Sequence, residues 1–236
     1  MRDLTIRSSE QELMDDPAIS QTELQKALLD ISRVNKLLGG NRITIKALER
    51  LFIENPLKKE WTIVDVGCGD GEMLRLIADY FKPKNLHLHL VGLDLSPQSI
   101  AMGRELSTAY QNIALEVKDI LTIDQESFEC DIIVCTLTLH HFKNPEILVF
   151  MRQFVALAQI AVVINDLQRS KIAYQLFRLF SRIFIKSHIA KNDGLISIAS
   201  AFKKQELKIV AQQLKLKHSE ITWKWAFRYL WLIKTL

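Results

Sequence analysis

The stretch that decides the fold is WTIVDVGCGDGEML, which runs from Trp61 to Leu74. Its apolar run, Ile63 to Val66, carries one carboxylate, Asp65, and then gives way to three alternate glycines, Gly67, Gly69 and Gly71. Apolar residues resume at helical spacing at Met73, Leu74 and Ile77. This pattern predicts a buried strand, a tight turn and a helix. Because glycines let the backbone approach a ligand and a helix start offers free N–H groups, the turn is a candidate nucleotide-type pocket.

Composition narrows the class of protein. The chain has 236 residues, 48% of them apolar, so it can bury a sizeable core. Its net charge of +4, with both signs interspersed, does not favour a nucleic-acid partner. Its three cysteines, Cys68, Cys130 and Cys135, suit buried free thiols better than disulfides or a metal site. With no signal-peptide core and no run near the roughly 18 apolar residues of a membrane span, we expect a cytoplasmic protein without a transmembrane segment.

The residues ahead of this stretch predict two helices. A polar start is expected to be irregular as far as about Ser20. Ser20 and Glu23 fit a capping box that opens a helix, and Gly39–Gly40 ends it. A second helix is expected over about Thr44 to Ile53. We interpret residues 1–56 as an N-terminal helical cap.

From Trp61 onward, predicted strands and helices alternate. Apolar strands follow the first one at 86–95, 113–117, 131–135 and 160–166. Helices open at Ser96–Pro97, a cap followed by proline at the first helical position, and at Asn144–Pro145. Continuous apolar strands separated by helices indicate a parallel sheet covered on both faces. The predicted fold class is α/β, with a Rossmann-like doubly wound sheet.

The rest of the chain departs from this rhythm. We predict a helical insertion over 167–201, a helix at 205–216 and paired edge strands in the tail, 221–234. The chain is then expected to form a single domain of four parts. These are a cap (1–56), a cofactor-binding core (61–166), a helical lid or insertion (167–201), and a C-terminal helix with strands (202–236).

Three acidic residues fall near the carboxyl ends of strands, where open parallel sheets bind ligands. Asp94 ends the second strand and can accept both hydroxyls of a ribose, and Asp119 follows the third, where it can meet an adenine amino group. Asp65 lies inside the first strand, where a charge is costly without donors such as turn amides or the ammonium of an amino-acid ligand. Alternatively, Asp94 only leads the turn before Ser96, and Asp119 only caps the next helix.

These residues resemble the class I S-adenosylmethionine-dependent methyltransferases. The resemblance rests on four stretches, DVGCGDGE at 65–72, GLDLS at 92–96, KDI at 118–120 and DIIVCTLTLHHF at 131–142. It covers 61–166 well and 205–234 in outline. It implies a seven-stranded sheet whose last strand is antiparallel, and S-adenosyl-L-methionine as cofactor.

The resemblance also implies which residues bind that cofactor. Asp65 and the glycine turn would hold the methionine part, Asp94 the ribose, and Asp119–Ile120 the adenine. Thr136 and Leu137 would line the other side of the cofactor. Cys68 and Leu95 lie within the same stretches and are also expected to bind it.

A narrower resemblance concerns the acceptor. The chain is similar to bacterial small-molecule methyltransferases that share its MDDP start (14–17), its VNKLLGG helix end and its VINDLQR strand. Those proteins are associated with polyketide or phenolic-lipid synthesis. The resemblance therefore implies a small aromatic or lipophilic acceptor, methylated on oxygen.

Polar residues at the predicted carboxyl edge are candidates for the acceptor side. His140 and His141 follow the fourth strand directly, and a histidine there can act as base towards a hydroxyl. We expect one of them to face the pocket. Asp166 ends the fifth strand, where it can orient the acceptor, assist a histidine or cap the next helix. Because no Cys, Asp or Glu cluster of suitable spacing accompanies the histidines, no metal site is predicted.

The insertion and the ends of the chain supply further candidates. The predicted helix 171–186 has an apolar stripe and a basic side. We interpret it as a lid and pocket wall; a solvated surface helix or a membrane-surface patch are the alternatives. In the first helix, Arg33 and Asn35 are candidate cofactor contacts. The aromatic tail, 223–231, alternates at strand period and is interpreted as sheet surface.

Other functions compete with this prediction. An NAD(P)-dependent oxidoreductase would use the longer G-x-G-x-x-G spacing. A non-catalytic protein that binds S-adenosylmethionine would keep the glycines, Asp65 and Asp94 without turnover. A nucleic-acid methyltransferase is disfavoured, because CTLTLHHF replaces the Asn-Pro-Pro-Tyr type of motif after the fourth strand and no strong basic field is present. The expected partner is a small-molecule acceptor.

Overall fold

A single mixed sheet forms the centre of the computed structural model, which describes residues 2–16, 18–84, 86–124 and 128–235. Its strands are β1 (Glu60–Val66), β2 (His87–Asp94), β3 (Ile113–Val117), β4 (Cys130–Thr136), β5 (Ala158–Leu167), β6 (His218–Lys224) and β7 (Arg228–Lys234). The seven strands are ordered β3-β2-β1-β4-β5-β7-β6. Strands β1 to β5 are parallel, and β7 is antiparallel to both neighbours. The predicted Rossmann-like sheet is confirmed. Met1 and Pro17, both in the predicted irregular start, lie outside the described residues, as does Leu236.

The helices flank this sheet. They are α1 (Gln21–Leu38), α2 (Gly40–Glu54), α3 (Glu72–Phe81), α4 (Pro97–Leu106), α5 (Asn144–Leu157), α6 (Lys171–Phe184), α7 (His188–Ser200) and α8 (Lys204–Gln213). The predicted caps are confirmed, since Ser20 accepts the amide of Glu23 and Ser96 caps α4 with Pro97 at its first turn. None of the helices in the described part of the chain is long and apolar enough to cross a membrane.

The start of the second helix and the place of the tail in the sheet differ from the prediction. Helix α2 starts at Gly40 rather than Thr44, because Gly39 turns left-handed (φ 71°), ends α1 and directly precedes α2. The two tail strands pair with each other as predicted, but β7 lies between β5 and β6, so that of these two strands only β6 is at an edge of the sheet. Trp231 is consequently buried within β7 rather than placed on the sheet surface.

Apolar side chains are buried on both faces of the sheet. On one face, α2 and α3 pack around Leu48, Trp61 and Leu74. On the other face, side chains of α5 and α8 pack with Phe154 and Trp231. Two-sided burial explains the continuous apolar strands of the sequence. With both faces covered, the carboxyl edge of the parallel strands is where a ligand can reach the sheet.

The N-terminal segment is fastened to that edge. The buried carboxylate of Asp193, in α7, accepts the amides of Leu13 and Met14, each at 2.9 Å. The Arg7 guanidinium donates to the carbonyls of His140 and Phe142 at 2.9 and 3.0 Å. These bonds bring a segment that is distant in sequence beside the residues that follow β4.

Gly67 occupies a position that allows no side chain. Its φ is 69°, and a Cβ there would lie 2.2 Å from Thr138 Cγ2. Gly69 also has a positive φ, 56°, but a Cβ there would meet nothing within 4 Å. We predict that Gly67→Ala lowers the free energy of unfolding by about 2–5 kcal/mol, from overpacking added to left-handed strain, and Gly69→Ala by about 1–2 kcal/mol from strain alone.

Urea unfolding of both variants measures this difference. Equal losses in the two variants would show that the contact with Thr138 relaxes at little cost.

Candidate functional site

The turn after β1 is shaped by backbone hydrogen bonds. The amides of Gly67 and Cys68 both donate to the Leu93 carbonyl, at 2.8 and 3.1 Å. The Asp94 carboxylate accepts the amides of Gly69 and Ser96, each at 2.8 Å. Asp94 therefore braces the glycine turn and the start of α4 together. One oxygen of Asp94 accepts the amide of Ser96, as expected if Asp94 leads the turn before Ser96. The other oxygen accepts the amide of Gly69 and so links two loops at the carboxyl edge.

Asp65 is the unusual member of this end of the site. Its carboxyl is buried, with 2% of the residue exposed, and no group among the described residues donates a hydrogen bond to it. The turn amides proposed as its donors bind Leu93 and Asp94 instead. Burial, and then the nearby Asp94 carboxylate, raise the pKa of Asp65 to about 8. A cationic group placed beside Asp65 would reverse that shift.

The other predicted cofactor residues lie along the same edge. Asp119 accepts the amide of Leu121 at 2.9 Å and so caps the short 3₁₀ turn that begins at Ile120, which is the alternative considered for it. Thr136 forms a 3.1 Å hydrogen bond with Thr44 of α2. Leu137 has a left-handed φ of 56°, a strained conformation that is uncommon outside glycine and tends to occur at sites.

A single cavity of about 1270 Å³ joins these residues. The predicted cofactor residues that line it are Asp65, Gly67, Cys68, Gly69, Asp94, Leu95, Asp119, Ile120, Thr136 and Leu137. Gly71, the remaining one, lies behind them at the start of α3, where it packs on Leu115. The same cavity reaches His140 and His141 at its other end, so the two candidate ends of the site are continuous.

His140 lies in a buried network of charges. Its Nδ1 is 2.7 Å from Asp166 Oδ1, and its backbone amide donates to Asp166 Oδ2 at 3.0 Å. Its Nε2 is 3.5 Å from Oε1 of Glu12. Burial disfavours the charged ring, but Asp166 and Glu12 outweigh it and raise the pKa of His140 to about 10. With no other cation beside it, the ring of His140 is therefore favoured in its charged form at neutral pH.

Asp166 is the partner of His140. It does not line the cavity, is 2% exposed, and also accepts the amide of Leu167 at 2.6 Å. Burial opposes its ionisation, but the His140 charge lowers the pKa of Asp166 below its ordinary value. Of the roles considered for Asp166, the geometry supports assistance to a histidine.

His141 turns the other way, towards the N-terminal segment. Its Nδ1 is 3.0 Å from Asp15 Oδ2, and its Nε2 is 3.8 Å from Glu12 Oε2. Both histidines line the cavity, whereas one was expected. Glu12 and Asp15 supply the acidic neighbours whose apparent absence was the reason for predicting no metal site. That reason is wrong, because residues far apart in sequence meet here.

Two helices give the cavity apolar walls. Helix α1 contributes Leu24, Leu28, Ile31, Val34 and Leu38, and α6 contributes Leu176, Phe177, Leu179, Phe180, Ile183 and Phe184. Several of the α6 side chains stay solvent-accessible, including Leu179 at 59% and Ile183 at 71%. The apolar stripe predicted for the insertion helix thus faces the cavity over most of its length.

Sequence reasoning missed Arg228 at the start of β7. The guanidinium is 3% exposed, donates from Nη2 to Asn35 Oδ1 at 2.6 Å, and leaves Nη1 without a partner among the described residues. Burial lowers the pKa of Arg228 to about 10, with Asp166 opposing. Asn35, a predicted cofactor contact, lines the cavity beside it, whereas Arg33 points out and pairs with Asp30.

The turn between β6 and β7 was also missed. Trp225 and Phe227 were interpreted as strand residues on the sheet surface, but they lie in this turn and line the cavity. The alternation of aromatic residues did not reveal this turn, because it continues without a break from Trp223 through the turn, 225–227, to Trp231.

Comparison with known proteins gives this geometry a family. Residues 63–159, which span β1 to the start of β5, match the family described as methyltransferase domain. The chain carries a methyltransferase domain. That domain includes the glycine turn, Asp94, Asp119 and both histidines.

Curated relatives of the methyltransferase domain differ in acceptor. A small RNA 2'-O-methyltransferase of Arabidopsis thaliana is 27% identical over 143 residues, which is 51% of this chain and 15% of that protein. An ajmaline N-methyltransferase of Rauvolfia serpentina is 25% identical over 130 residues, 51% of this chain and 42% of that protein. The chain therefore spans less than half the length of these relatives.

A solved structure extends the comparison to the whole chain. The plantazolicin methyltransferase BpumL, in complex with SAH, has a TM-score of 0.70 at 16% identity. The match covers 93% of this chain and 91% of that one. The methyltransferase domain and its flanking helices thus share one fold with BpumL.

The raised pKa of Asp65 predicts a pH dependence of stability for the methyltransferase domain. The pKa is about 8 in the folded state and 3.8 ordinarily, so the folded state keeps a proton that the unfolded chain loses, and stability is lost as the pH rises between these values. Asp65→Asn removes this cost. We expect the free energy of unfolding of the variant, relative to that of the wild type, to increase by about 2–4 kcal/mol from pH 5 to pH 8.5.

Urea unfolding at the two pH values measures that gain. Asp79→Asn, which changes an exposed carboxylate on α3, serves as the matched control and should follow the wild type. Parallel profiles for Asp65→Asn and the wild type would mean that Asp65 ionises normally.

Proposed function

We propose that this protein transfers a methyl group from S-adenosyl-L-methionine to an oxygen atom of a small, aromatic or lipophilic acceptor. One observation carries the proposal: a single cavity runs from the glycine turn and its acids to the two histidines and the apolar walls. A methyl transferase must hold donor and acceptor in one enclosure, because the reaction depends on bringing the nucleophile into line with the methyl carbon.

The donor end suits S-adenosylmethionine. The Asp65 carboxyl has no hydrogen-bond donor among the described residues and would pair with the ammonium of the methionine part. Asp94 is oriented by two amides and retains lone pairs for ribose hydroxyls. Asp119–Ile120 would meet the adenine, with Thr136 and Leu137 on the other side of the cofactor. Gly69 opens onto free space, which leaves room for the backbone to approach the ligand.

The acceptor end suits an apolar molecule with one polar group. The facing stripes of α1 and α6 offer apolar surface, and His140, His141 and Glu12 gather polar atoms at one point. The relatives include both O- and N-methyltransferases. We favour oxygen, because a hydroxyl acceptor must lose a proton and gains most from such a cluster.

The chemistry requires little of the protein beyond position and charge. The acceptor oxygen attacks the methyl carbon, a C–O bond forms, and the C–S bond breaks to leave a neutral thioether. The hydroxyl proton passes to solvent or to a base at the acceptor end. His140, His141 and Glu12 stand at that end, and Asp166 holds His140 in place as a positioning residue. The three buried free cysteines are in keeping with a cytoplasmic enzyme.

Calorimetric titration with S-adenosylmethionine and, separately, NADH tests the donor. We expect S-adenosylmethionine to bind and NADH not to bind. Asp94→Ala should raise the dissociation constant for S-adenosylmethionine about tenfold or more, the scale of a well-placed hydrogen-bonded carboxylate. Tight binding of NADH with no response to S-adenosylmethionine would refute the proposal.

Replacement of His141 tests the acceptor end. We expect His141→Ala to lower turnover of a phenolic acceptor by about a hundredfold, the scale of general acid–base or electrophilic assistance, while the dissociation constant for S-adenosylmethionine stays nearly unchanged. Transfer of a labelled methyl group over a panel of phenolic and polyketide acceptors provides the assay. His188→Ala, which removes an exposed histidine that does not line the cavity, is the control. Full turnover in His141→Ala would place the acceptor elsewhere.

A further inference from the structure

Glu12, His140 and His141 form a compact set of ligand atoms. One carboxylate oxygen and one nitrogen from each ring lie within 4.8 Å of one another. Glu12 is 6% exposed and His140 3%. Two imidazoles and one carboxylate form a donor set that proteins use for divalent first-row transition ions.

Both rings are oriented as metal-binding histidines are. The Nδ1 atom of His140 is 2.7 Å from Asp166, and that of His141 is 3.0 Å from Asp15. Each ring can therefore donate its Nδ1–H to a carboxylate and present the Nε2 lone pair. A carboxylate behind a histidine fixes this tautomer and raises the basicity of the other nitrogen, and it is the usual outer shell of a zinc site.

The presented nitrogens converge on Glu12. Nε2 of His140 is 3.5 Å from Glu12 Oε1, and Nε2 of His141 is 3.8 Å from Oε2. Nε2 of His140 is buried and has no hydrogen-bond partner among the described residues. A buried polar atom without a partner is costly, and this one points into the cluster of ligand atoms. Hydrogen bonds to carboxylates account for the Nδ1 atoms, whereas the nearest acceptor to Nε2 of His140 is Glu12 Oε1, at 3.5 Å and without a hydrogen bond.

The charges around the cluster favour a cation. Glu12, Asp15 and Asp166 bring three carboxylates to the two rings. Arg7 is nearby, but its hydrogen bonds go to the carbonyls of His140 and Phe142 and to other groups outside the cluster. Glu12 accepts from Ser197 Oγ on Oε1, and no hydroxyl of the described residues donates to Oε2. Binding of the ion would displace the ring proton of His140, and the three carboxylates would then balance the two positive charges of the ion.

An ion can also reach the cluster. A second cavity of about 380 Å³ is lined by Glu12, Asp15, His140 and His141, together with Arg7 and Ser200. Glu12, His140 and His141, together with Asp15, also line the large cavity. The cluster thus forms part of the wall between a small polar cavity and the proposed acceptor end.

We propose that Glu12, His140 and His141 bind one divalent first-row transition ion, with Asp15 and Asp166 holding the two rings, and that Zn²⁺ is a representative occupant. Three protein ligands leave a coordination position open, as in catalytic zinc sites. Oxygen-seeking ions such as Mg²⁺ and Ca²⁺ are disfavoured by two imidazole ligands.

The consequence for catalysis rests on the proposed function. An acceptor hydroxyl that takes the open position would be acidified by the ion, so that its oxygen attacks the methyl carbon as an alkoxide or phenolate. This removes the need for His140 to accept a proton. The histidines then act as ligands, and the hydroxyl proton leaves to solvent.

Metal binding is tested on the full-length, untagged protein after dialysis against a chelator. Zn²⁺ is titrated in competition with a chromophoric chelator, and Co²⁺ is added separately as a spectroscopic probe. We expect one equivalent of Zn²⁺ with a dissociation constant below about 1 µM, and visible Co²⁺ absorption bands. Glu12→Gln and His141→Ala should each raise the dissociation constant at least tenfold, and Asp15→Asn, which removes an outer carboxylate, about 10–100-fold.

Controls separate a built site from surface binding. His188→Ala and Glu105→Gln change exposed groups that line neither cavity and should bind Zn²⁺ as the wild type does. Circular dichroism checks that each variant folds, and His141→Ala, at a partly exposed position, keeps the test open should Glu12→Gln unfold. A stoichiometry near zero, or a dissociation constant unchanged in both ligand variants, overturns the proposal. The titration uses no methyl donor, so its failure is distinct from failure of the proposed function.

Discussion

The pairing of His140 with Asp166 is the interaction on which the site depends. Both side chains are buried, so neither charge could be kept there without the other. The pair joins the turn after β4 to the end of β5, and through Glu12 it also holds the N-terminal segment. Asp193 fastens that segment a second time from α7. The carboxyl edge, the insertion and the start of the chain are therefore assembled around one buried ionic contact.

Local chemistry made the glycine-turn end of the cavity predictable from sequence. The glycines with Asp65 specify a strand, a turn without side chains and a helix, and Ser96 with Pro97 specifies where the next helix starts. Parallel strands then bring their carboxyl ends to one edge, so Asp94 and Asp119 could be placed there by order alone. None of these inferences needed a contact between residues far apart in the chain.

The histidine end of the cavity depends on such contacts, and the sequence predicted it only in part, through His140, His141 and Asp166. Glu12 lies in a polar stretch without periodicity, and only the bonds of Asp193 and Arg7 bring it to the histidines. Arg228 looks like an ordinary strand residue until its guanidinium is found against Asn35. Aromatic residues on both sides concealed the turn that contains Trp225. In each case a long-range contact, rather than a propensity, decided where the side chain lies.

The two apolar walls of the cavity differ in how firmly they are held. Arg228 packs against the junction of α1 and α2. Its guanidinium carbon would lie only 2.7 Å from a Cβ on Gly40, and its Nη2 donates to Asn35. Helix α6 packs chiefly on α7 and leaves much of its apolar face open. The α1 wall is thus tied to β7 through Arg228, whereas the α6 wall rests on α7. Acceptors of different size would be accommodated by displacement of α6, while the α1 wall would set the shape that they must match.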